Sequence, residues 1–289
     1  NVGIHHHLAV QSMEQGDHEK AKVHLERILE IDPNDAVAYT NLAILLEEAY
    51  GEYDKAREYY EKALEIDPND AIVNCLLGNL LIWHFDEYDK AREHLELALE
   101  TNPDIAYAHY SMAILLIDQG HYEMAKEHLE RAMEMEPDNA AVHYLLATIL
   151  DDEFEEYERA RVHYEKALVF GLSDADVHNR LADLLTAEFN DHNGAKLHYE
   201  KAIEIDPNDA VAYTNLAILL QEVYGEYDKA REYYEKALEI DPDDSITHYN
   251  LACLLTDHFN EHEEALRHYE RALEIDPDDA DIHNTMAIL

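Results

Sequence analysis

One block of sixteen residues occurs twice in this chain without a difference. It reads Tyr-Asp-Lys-Ala-Arg-Glu-Tyr-Tyr-Glu-Lys-Ala-Leu-Glu-Ile-Asp-Pro and fills residues 53–68 and 227–242. Weaker copies fill the rest of the chain, marked by prolines that recur every 34–35 residues with one gap of 70. A repeat of this period is typical of stacked helical hairpins rather than of a closed globule. The prolines are Pro33, Pro68, Pro103, Pro137, Pro207, Pro242 and Pro277.

Small residues give the register of the repeat. An alanine opens each second helix, namely Ala21, Ala56, Ala91, Ala125, Ala160, Ala195, Ala230 and Ala265. A second small residue marks the middle of each first helix: Ala9, Ala43, Gly78, Ala113, Ala147, Ala182, Ala217, Ala252 and Ala287. Units therefore begin near Val2, Ala36, Ala71, Ala106, Ala140, Ala175, Ala210, Ser245 and Ala280. We predict eight complete units and ten residues of a ninth, in a single array over residues 1–289 without a linker.

Each unit has the pattern of two helices. Residues 36–46 carry apolar side chains three and four apart, which predicts a first helix. Residues 55–66 predict a second helix that stops at Asp-Pro, because proline cannot continue it. Aspartates just before the first helices are predicted N-caps, since a short acceptor there meets free backbone N–H groups. These are Asp35, Asp70, Asp174, Asp209, Asp244 and Asp279.

With these residues in place, the chain resembles the tetratricopeptide repeat family. Repeat two supplies the family pattern as Tyr39, Leu42, Ala43, Leu46, Ala56, Tyr60, Ala63 and Pro68, and repeat seven as Tyr213, Leu216, Ala217, Leu220, Ala230, Tyr234, Ala237 and Pro242. The resemblance implies an all-α, right-handed solenoid that acts as a non-enzymatic protein scaffold. Two features depart from the family. Repeat five lacks its proline, and six units carry an extra turn residue beside Tyr50, Phe85, Phe154, Phe189, Tyr224 or Phe259.

The resemblance also implies which residues line the concave groove. In this family the first helices form that surface, which here gives Ile44, Glu47, Glu48, Tyr107, Tyr110, Ile114, Tyr144, Asp151, Asp152, Ile218 and Glu222. The family's clamp for carboxylate-ended peptides needs lysine and arginine at such positions, and this chain has almost none there. A peptide with basic and apolar side chains is the better match.

The two ends of the array suggest a different function. Both show the apolar pattern used inside the array: Val2, Ile4, Leu8 and Val10 at one end, and Ile282, Met286, Ile288 and Leu289 at the other. Complementary uncapped ends allow head-to-tail contacts that propagate into rings or filaments. We therefore expect a scaffold that assembles with itself into a homo-oligomer, filament or tube. A monomeric adaptor for a basic peptide is the alternative, and metal- or pH-dependent assembly is the third.

The net charge of the chain limits the classes of partner that it can bind. Sixty-five acidic against 21 basic residues give a formal net charge of −44. Such a chain repels nucleic acid and anionic membranes and favours cationic partners, although an acidic surface also maintains solubility. The sequence shows no apolar run of transmembrane length, no signal peptide and no initiator methionine. We therefore expect a soluble protein, either cytoplasmic or extracellular, whose sequence is a processed chain or a fragment. Cys75 and Cys253 are expected to be small apolar packing residues. The sequence has no glycine-rich phosphate loop and no set of nucleophile, histidine and acid, so we expect neither a cofactor nor catalysis.

Twenty histidines fall largely in two columns of the repeat. The first-helix column is His5, His109, His143, His178, His248 and His283, and the second-helix column is His24, His94, His128, His163, His198 and His268. Tyrosine replaces histidine in both columns, for example at Tyr39 and Tyr59. This exchange favours a flat packing residue with a polar tip over a metal ligand. If all twenty protonated between about pH 7 and 5.5, the acidic self-repulsion would fall and association would increase.

Overall fold

The structure is a computed structural model that describes residues 1–278, 282, 283 and 285. Over these residues it contains sixteen α-helices and no strand, which confirms the all-α helical-hairpin prediction. Contacts divide the chain into two compact units, Asn1–Val142 and His143–Leu289. Each unit is described by itself, and the single array over residues 1–289 stays a prediction.

In the first unit, helices alternate between a first and a second helix of each hairpin. They are α1 (Val2–Glu14), α2 (His18–Ile31), α3 (Ala36–Tyr50), α4 (Tyr53–Ile66), α5 (Ala71–Phe85), α6 (Tyr88–Thr101), α7 (Ala106–Asp118) and α8 (Tyr122–Met135), followed by the start of α9 (Ala140–Asp152). The first helix of repeat two runs to Tyr50, four residues beyond the predicted end at Leu46.

The second unit continues the same alternation. Its helices are α10 (Tyr157–Val169), α11 (Ala175–Ala187), α12 (His192–Ile205), α13 (Ala210–Leu219), α14 (Tyr227–Ile240), α15 (Ser245–Leu254) and α16 (His262–Ile275). Helix α13 continues as a π-helical turn over Leu220–Tyr224, and α15 as another over Leu255–Phe259. Such turns widen the helix by one residue and often accommodate insertions.

The predicted aspartate caps are present at five of the six positions. Asp35 accepts a hydrogen bond from the Ala38 backbone N–H at 2.8 Å, and Asp209 accepts one from Ala212 at 3.0 Å. Asp70, Asp174 and Asp244 make the equivalent bonds at α5, α11 and α15. Asp279, the sixth, lies outside the described residues. Each cap satisfies one of the free N–H groups that a helix start leaves open.

The core lies between the two helices of each hairpin and follows the small-residue columns. Every described member of the two columns is buried, and most are 0% exposed. Gly78 shows why the column must be small, because a Cβ there would stand 2.9 Å from Leu95 Cγ and 3.2 Å from the Ala91 carbonyl oxygen. Close helix packing therefore depends on the absence of side-chain volume at this position.

The extra turn residue has a defined structure. In the two hairpins without it, the chain turns back with a bond spanning five residues, as from the Asp17 N–H to Ser12 O at 2.9 Å. In the six hairpins with it, the bond spans six residues, as from the Glu52 N–H to Leu46 O at 2.9 Å. All eight turns contain a left-handed residue, which is Gly16, Gly51, Asp86, Gly120, Glu155, Asn190, Gly225 or Asn260.

The aromatic residue beside five of the six long turns contacts the preceding repeat. Lys22 Nζ lies 5.0 Å from the Tyr50 ring centroid, and the Arg57 guanidinium carbon lies 5.1 Å from that of Phe85. The second unit repeats the contact between Arg161 and Phe189, Lys196 and Tyr224, and Arg231 and Phe259. A cation over an aromatic face is attracted by the ring quadrupole. The insertion thus brings with it a contact that joins successive repeats.

Candidate functional site

The candidate binding surface consists of the outward side chains of the first helices, at the positions of Val37, Thr40, Ile44, Glu47 and Glu48 and their counterparts. We call it the groove face. In the first unit it is both apolar and acidic. Ile44, Tyr110 and Ile114 are half-buried, whereas Glu48 and Tyr107 are exposed. The rings of Tyr107 and Tyr110 stack with centroids 6.3 Å apart.

Buried tyrosines of the second helices support this face from below. The Tyr60 hydroxyl donates to Glu47 at 2.9 Å. Burial raises the pKa of Glu47, although the bond from Tyr60 opposes that rise. Equivalent bonds in the second unit run from Tyr164 to Asp151, Tyr199 to Asp183, Tyr234 to Gln221 and Tyr269 to Cys253. Sequence analysis missed this role of the tyrosine column, although tyrosine recurs at the position where other repeats have leucine.

The second unit adds one cation to its groove face, Arg180, which sequence analysis did not single out. Its Nη1 lies 3.1 Å from Asp152 Oδ2, and its Nε lies 3.6 Å from Asp176 Oδ2. The predicted Tyr144 donates its hydroxyl to the same Asp176. Burial, followed by this bond and the Asp176 charge, raises the pKa of Tyr144 to about 12. The structure thus joins two predicted residues, Tyr144 and Asp152, through Arg180 and Asp176.

Two clefts open on the groove face of α11 and α13. One, of about 450 Å³, is lined by Asp174, Asp176, Asn179, Arg180, Asp183, Asp206 and Asp209, among others. The other, of about 290 Å³, is lined mainly by Asp183, Thr186, Tyr199, Asn215, Ile218 and Glu222. The predicted residues Ile218 and Glu222 therefore lie in the second cleft. Burial raises the pKa of Asp183, which is a wall of both clefts.

The residues predicted for self-association differ in how far the structure exposes them to solvent. Ile4 and Val10 on α1 are exposed, whereas Val2 and Leu8 are half-buried. Ile282 is 1% exposed, so it packs within its own chain and presents no free surface. Met286, Ile288 and Leu289 lie outside the described residues. Ile4 is unusual because it is 58% exposed. The residues at the same position of the later repeats, which include Ala38, Thr247 and Ile282, are at most 2% exposed.

The histidine columns form pairs across the hairpins. The Nδ1 atoms of His109 and His128 lie 2.8 Å apart, as do those of three pairs in the second unit: His143 and His163, His178 and His198, and His248 and His268. His5 and His24 form the same pair at 3.1 Å. Tyr39 and Tyr59 occupy these positions in repeat two, with ring centroids 5.8 Å apart. The histidines therefore pack as the tyrosines do and add a hydrogen bond.

Neighbouring carbonyl groups determine which histidine of a pair donates. His109 Nε2 lies 3.0 Å from the Pro103 carbonyl oxygen, and His248 Nε2 lies 3.1 Å from that of Pro242. A carbonyl only accepts, so these Nε2 atoms carry the proton, and Nδ1 of each neutral ring accepts from its partner. Protonation of both rings would bring two N–H groups face to face. The pair bond therefore requires that at least the accepting ring stay neutral.

The condition that all twenty histidines protonate between about pH 7 and 5.5 is not met by at least one histidine in each of four pairs. Burial, followed by the charge of the partner histidine, lowers the pKa of His128, His163 and His268 to about 4. Burial also lowers the pKa of His109 and His178. Mild acid therefore does not protonate these histidines fully, because a buried ring loses the hydration that its charged form needs.

Two further features concern ligands and membranes. Among the residues that the structure describes, no group of three or more histidine, cysteine or acidic side chains is arranged to hold a metal ion. None of the described helices combines the length and apolar character that a bilayer crossing requires.

Comparison with known families matches nearly the whole chain to one kind of repeat. Models described as Tetratricopeptide repeat match residues 12–80, 49–115 and 116–184, then 175–209 and 208–278. No catalytic family is among these matches, and no curated protein matches the sequence.

Solved structures show the same fold at low sequence identity. The Pseudomonas aeruginosa protein pilF is 20% identical, with a TM-score of 0.65 over 82% of this chain and all of its own. YrrB, described as a TPR protein with an unusual peptide-binding site, is 24% identical, with a TM-score of 0.57 over 68% of this chain and 98% of its own. MamA from Desulfovibrio magneticus is 20% identical, with a TM-score of 0.54 over 61% of this chain and 97% of its own.

Proposed function

The chain belongs to the tetratricopeptide repeat family, and on that basis we propose that it is a non-enzymatic protein-binding scaffold whose groove face binds a peptide with basic and apolar side chains. The family supports a protein-binding role in general. The choice of peptide is our own inference from the side chains of the groove face.

One observation carries the proposal: carboxylates and apolar side chains lie on the same groove face in both units. In the first unit Glu47 and Glu48 lie near the Tyr107 ring, whose pKa is raised by burial and, to a lesser degree, by the Glu47 charge. In the second unit Asp151, Asp152 and other carboxylates greatly outnumber the single arginine. Such a surface attracts cationic side chains and offers apolar contacts between them.

A related protein makes a peptide ligand plausible on structural grounds. YrrB, whose fold this chain shares, is described as having an unusual peptide-binding site. That description applies to YrrB, and at 24% identity it supports only the use of this fold for peptides. The charge preference proposed here rests on the residues of this chain.

The experiment is a fluorescence anisotropy titration of the full chain with two labelled peptides. Both contain leucine and glycine, and one carries lysine where the other carries glutamate. We expect the lysine peptide alone to bind, with an affinity that falls as salt screens the charges. Equal binding of both peptides, or no binding, would refute the proposal.

A matched pair of double variants separates the groove face from general attraction to an acidic protein. Glu48→Gln with Glu222→Gln removes two charges from the groove face, and Glu58→Gln with Glu232→Gln removes two from exposed positions on second helices. We expect only the groove-face variant to weaken binding of the lysine peptide. If the two variants weaken binding equally, the peptide is attracted to charge alone.

Head-to-tail self-association is the second candidate, favoured by the exposure of Ile4. Its side chain occupies a position that is buried in the later repeats, so the surface around it is suited to receiving another repeat. Sedimentation velocity over a range of protein concentrations tests this. We expect Ile4→Asp to abolish association, whereas Val23→Asp, at an exposed valine of α2, leaves it intact. A chain that stays monomeric at every concentration would refute this candidate.

A further inference from the structure

We propose that α11 and α13 form a two-cleft site that takes a lysine side chain and a neighbouring aliphatic side chain from one extended peptide. This inference rests on the proposed function and assigns its specificity to one segment of the second unit. It requires a cleft suited to an ammonium group, an apolar cleft beside it, and a spacing that one peptide can span.

The larger cleft is suited to an ammonium group. Five carboxylates line it, on Asp174, Asp176, Asp183, Asp206 and Asp209, against one guanidinium on Arg180. That guanidinium is already engaged by Asp152 at 3.1 Å and Asp176 at 3.6 Å. The cleft therefore keeps an excess of negative charge after its own cation is paired. A lysine ammonium, with three N–H donors and no acceptor, complements such a wall.

A buried acceptor without a donor supports the same ligand. Asn179 lines the larger cleft and is 7% exposed. Its Nδ2 donates to Asp209 Oδ2 at 2.5 Å, which fixes the orientation of the amide. Its Oδ1 is then left with no hydrogen-bond partner among the described residues. A buried polar atom without a partner is costly, and a donor from a bound ligand relieves that cost.

The smaller cleft is suited to an aliphatic side chain. Ile218 and Leu219 from α13, Ala187 from α11 and the ring of Tyr199 provide apolar walls. The polar groups at its edge are largely engaged. Asp183 accepts from the Tyr199 hydroxyl at 2.5 Å and from Asn215 Nδ2 at 3.0 Å. A leucine-sized group entering this cleft buries apolar surface without leaving these polar atoms unpaired.

Asp183 is a wall of both clefts, which brings their openings close together on one face. In an extended peptide, side chains two positions apart point the same way and lie about 6.6 Å apart. A peptide with lysine and leucine at such positions places one in each cleft. The carboxylate of Asp183 then lies between the two bound side chains.

The first unit offers a natural comparison. Repeat two nearly duplicates repeat seven, but repeat one, before it, differs from repeat six at the cleft positions. Gly3 stands where Asp176 does, His6 where Asn179 does, and Val10 where Asp183 does. His6 Nε2 and Asp35 Oδ2 lie 2.7 Å apart, so the contact of Asn179 with Asp209 is kept without the walls that Asp176 and Asp183 provide. The proposed site therefore depends on repeat six.

The test uses the full chain and a labelled synthetic peptide with one lysine and one leucine two positions apart between glycines. Asp176→Asn and Asp183→Asn, which change walls of the larger cleft, are compared with Glu48→Gln, which removes one charge from the groove face of repeat two. We expect the first two variants to weaken binding about tenfold each and Glu48→Gln to leave it within about twofold, since a lost charge contact costs on the order of 1.4 kcal/mol. Circular dichroism checks that each variant is folded.

The outcomes separate this inference from the proposed function. If the parent binds the lysine peptide and all three variants bind it equally well, the two-cleft site is refuted while groove binding stands. If Glu48→Gln weakens binding as much as Asp183→Asn, repeat six is not the determinant and the inference is also refuted. If the parent does not bind the peptide at all, both proposals fall. Exchange of the leucine for glycine weakens binding only if the smaller cleft is used.

Discussion

Repeats two and seven are nearly the same sequence in two different settings. Residues 36–68 and 210–242 differ only at Glu47 against Gln221 and Ala49 against Val223. Their frameworks agree closely. Arg57 reaches Glu87 of the next repeat at 2.8 Å, and Arg231 reaches Glu261 at 3.1 Å. The groove face around them differs, because the preceding repeat supplies Val10 in one case and Asp183 in the other. The repeat thus specifies the hairpin, and its neighbours specify the chemistry.

The two differences between the duplicates also change local structure. Glu47 receives the Tyr60 hydroxyl at 2.9 Å, whereas Gln221 receives that of Tyr234 at 3.3 Å. The first helix of repeat two is α-helical up to Tyr50, and that of repeat seven ends in a π-helical turn from Leu220. The two repeats nevertheless keep the same turn bond, from the Glu52 N–H to Leu46 O at 2.9 Å and from the Glu226 N–H to Leu220 O at 3.0 Å.

The largest expected effect tests the shared framework. Leu42→Ala and Leu216→Ala each remove a side chain that is at most 1% exposed, at the same position of the two repeats. We expect each to lower the free energy of unfolding by about 2–5 kcal/mol, through lost transfer energy and the remaining cavity. Urea unfolding followed by circular dichroism measures both losses. A loss in one repeat less than half that in the other would show that the framework is not equivalent.

A smaller effect should distinguish the duplicates. Tyr60→Phe removes the donor to Glu47, whose carboxylate is half-buried, and should cost about 1–3 kcal/mol. Tyr234→Phe removes a longer bond to a neutral amide and should cost about 1 kcal/mol or less. The same urea titrations give both values. Equal losses would mean that the difference between Glu47 and Gln221 has no energetic consequence.

The pH dependence should separate repeats with histidine pairs from the two duplicates, which carry tyrosine pairs. The folded-state pKa of His128 is lowered to about 4, so its contribution to stability is present above the unfolded pKa of about 6.5. That contribution is lost as the pH falls from about 6.5 toward 4. His109→Tyr with His128→Tyr copies the pair of repeat two. We expect the melting temperature of this variant to fall less over that range than that of the parent, and an equal fall would contradict the neutral pair.

The smallest effect concerns surface charge. Lys62 pairs with Glu58 at 2.6 Å in repeat two, whereas the identical Lys236 pairs with Glu239 at 2.9 Å in repeat seven. Exposed pairs of this kind contribute little, so Lys62→Ala and Lys236→Ala should each change stability by less than about 0.5 kcal/mol. Thermal melts of both variants check this. A loss above about 1 kcal/mol in either repeat would show that the pairing geometry is fixed.

The sequence predicted the framework well because the framework depends on local signals. Helix starts at aspartate, helix stops at proline and buried alanine columns all follow from residues within one repeat. The turns were less predictable. Asp86 and Glu155 are left-handed without being glycines, which the sequence pattern does not signal. The cations that lie over five of the aromatic residues beside long turns come from about thirty residues earlier in the chain.

The candidate site was predicted only in part, because it depends on pairs of repeats. Ile218 and Glu222 were expected on the groove face and do line a cleft. Asn179, Arg180 and Asp183 were not expected, since each becomes informative only beside residues of another repeat, such as Asp209 or Asn215. The exchange of tyrosine with leucine in the second helices was a usable signal for a role of the hydroxyl group. The partners of these hydroxyls could not be predicted, because they lie 13 or 16 residues away on the facing helix.

The most direct test of the account is hydrogen–deuterium exchange of the full chain with and without the lysine–leucine peptide. The two duplicates are measured in the same experiment, because fragments that include residues 47–49 and 221–223 differ in mass. We predict protection on binding at residues 176–187 and 213–223, with little change at residues 39–49. Equal protection of both duplicates, or protection of residues 39–49 alone, would contradict the claim that the neighbouring repeat determines what the groove face binds.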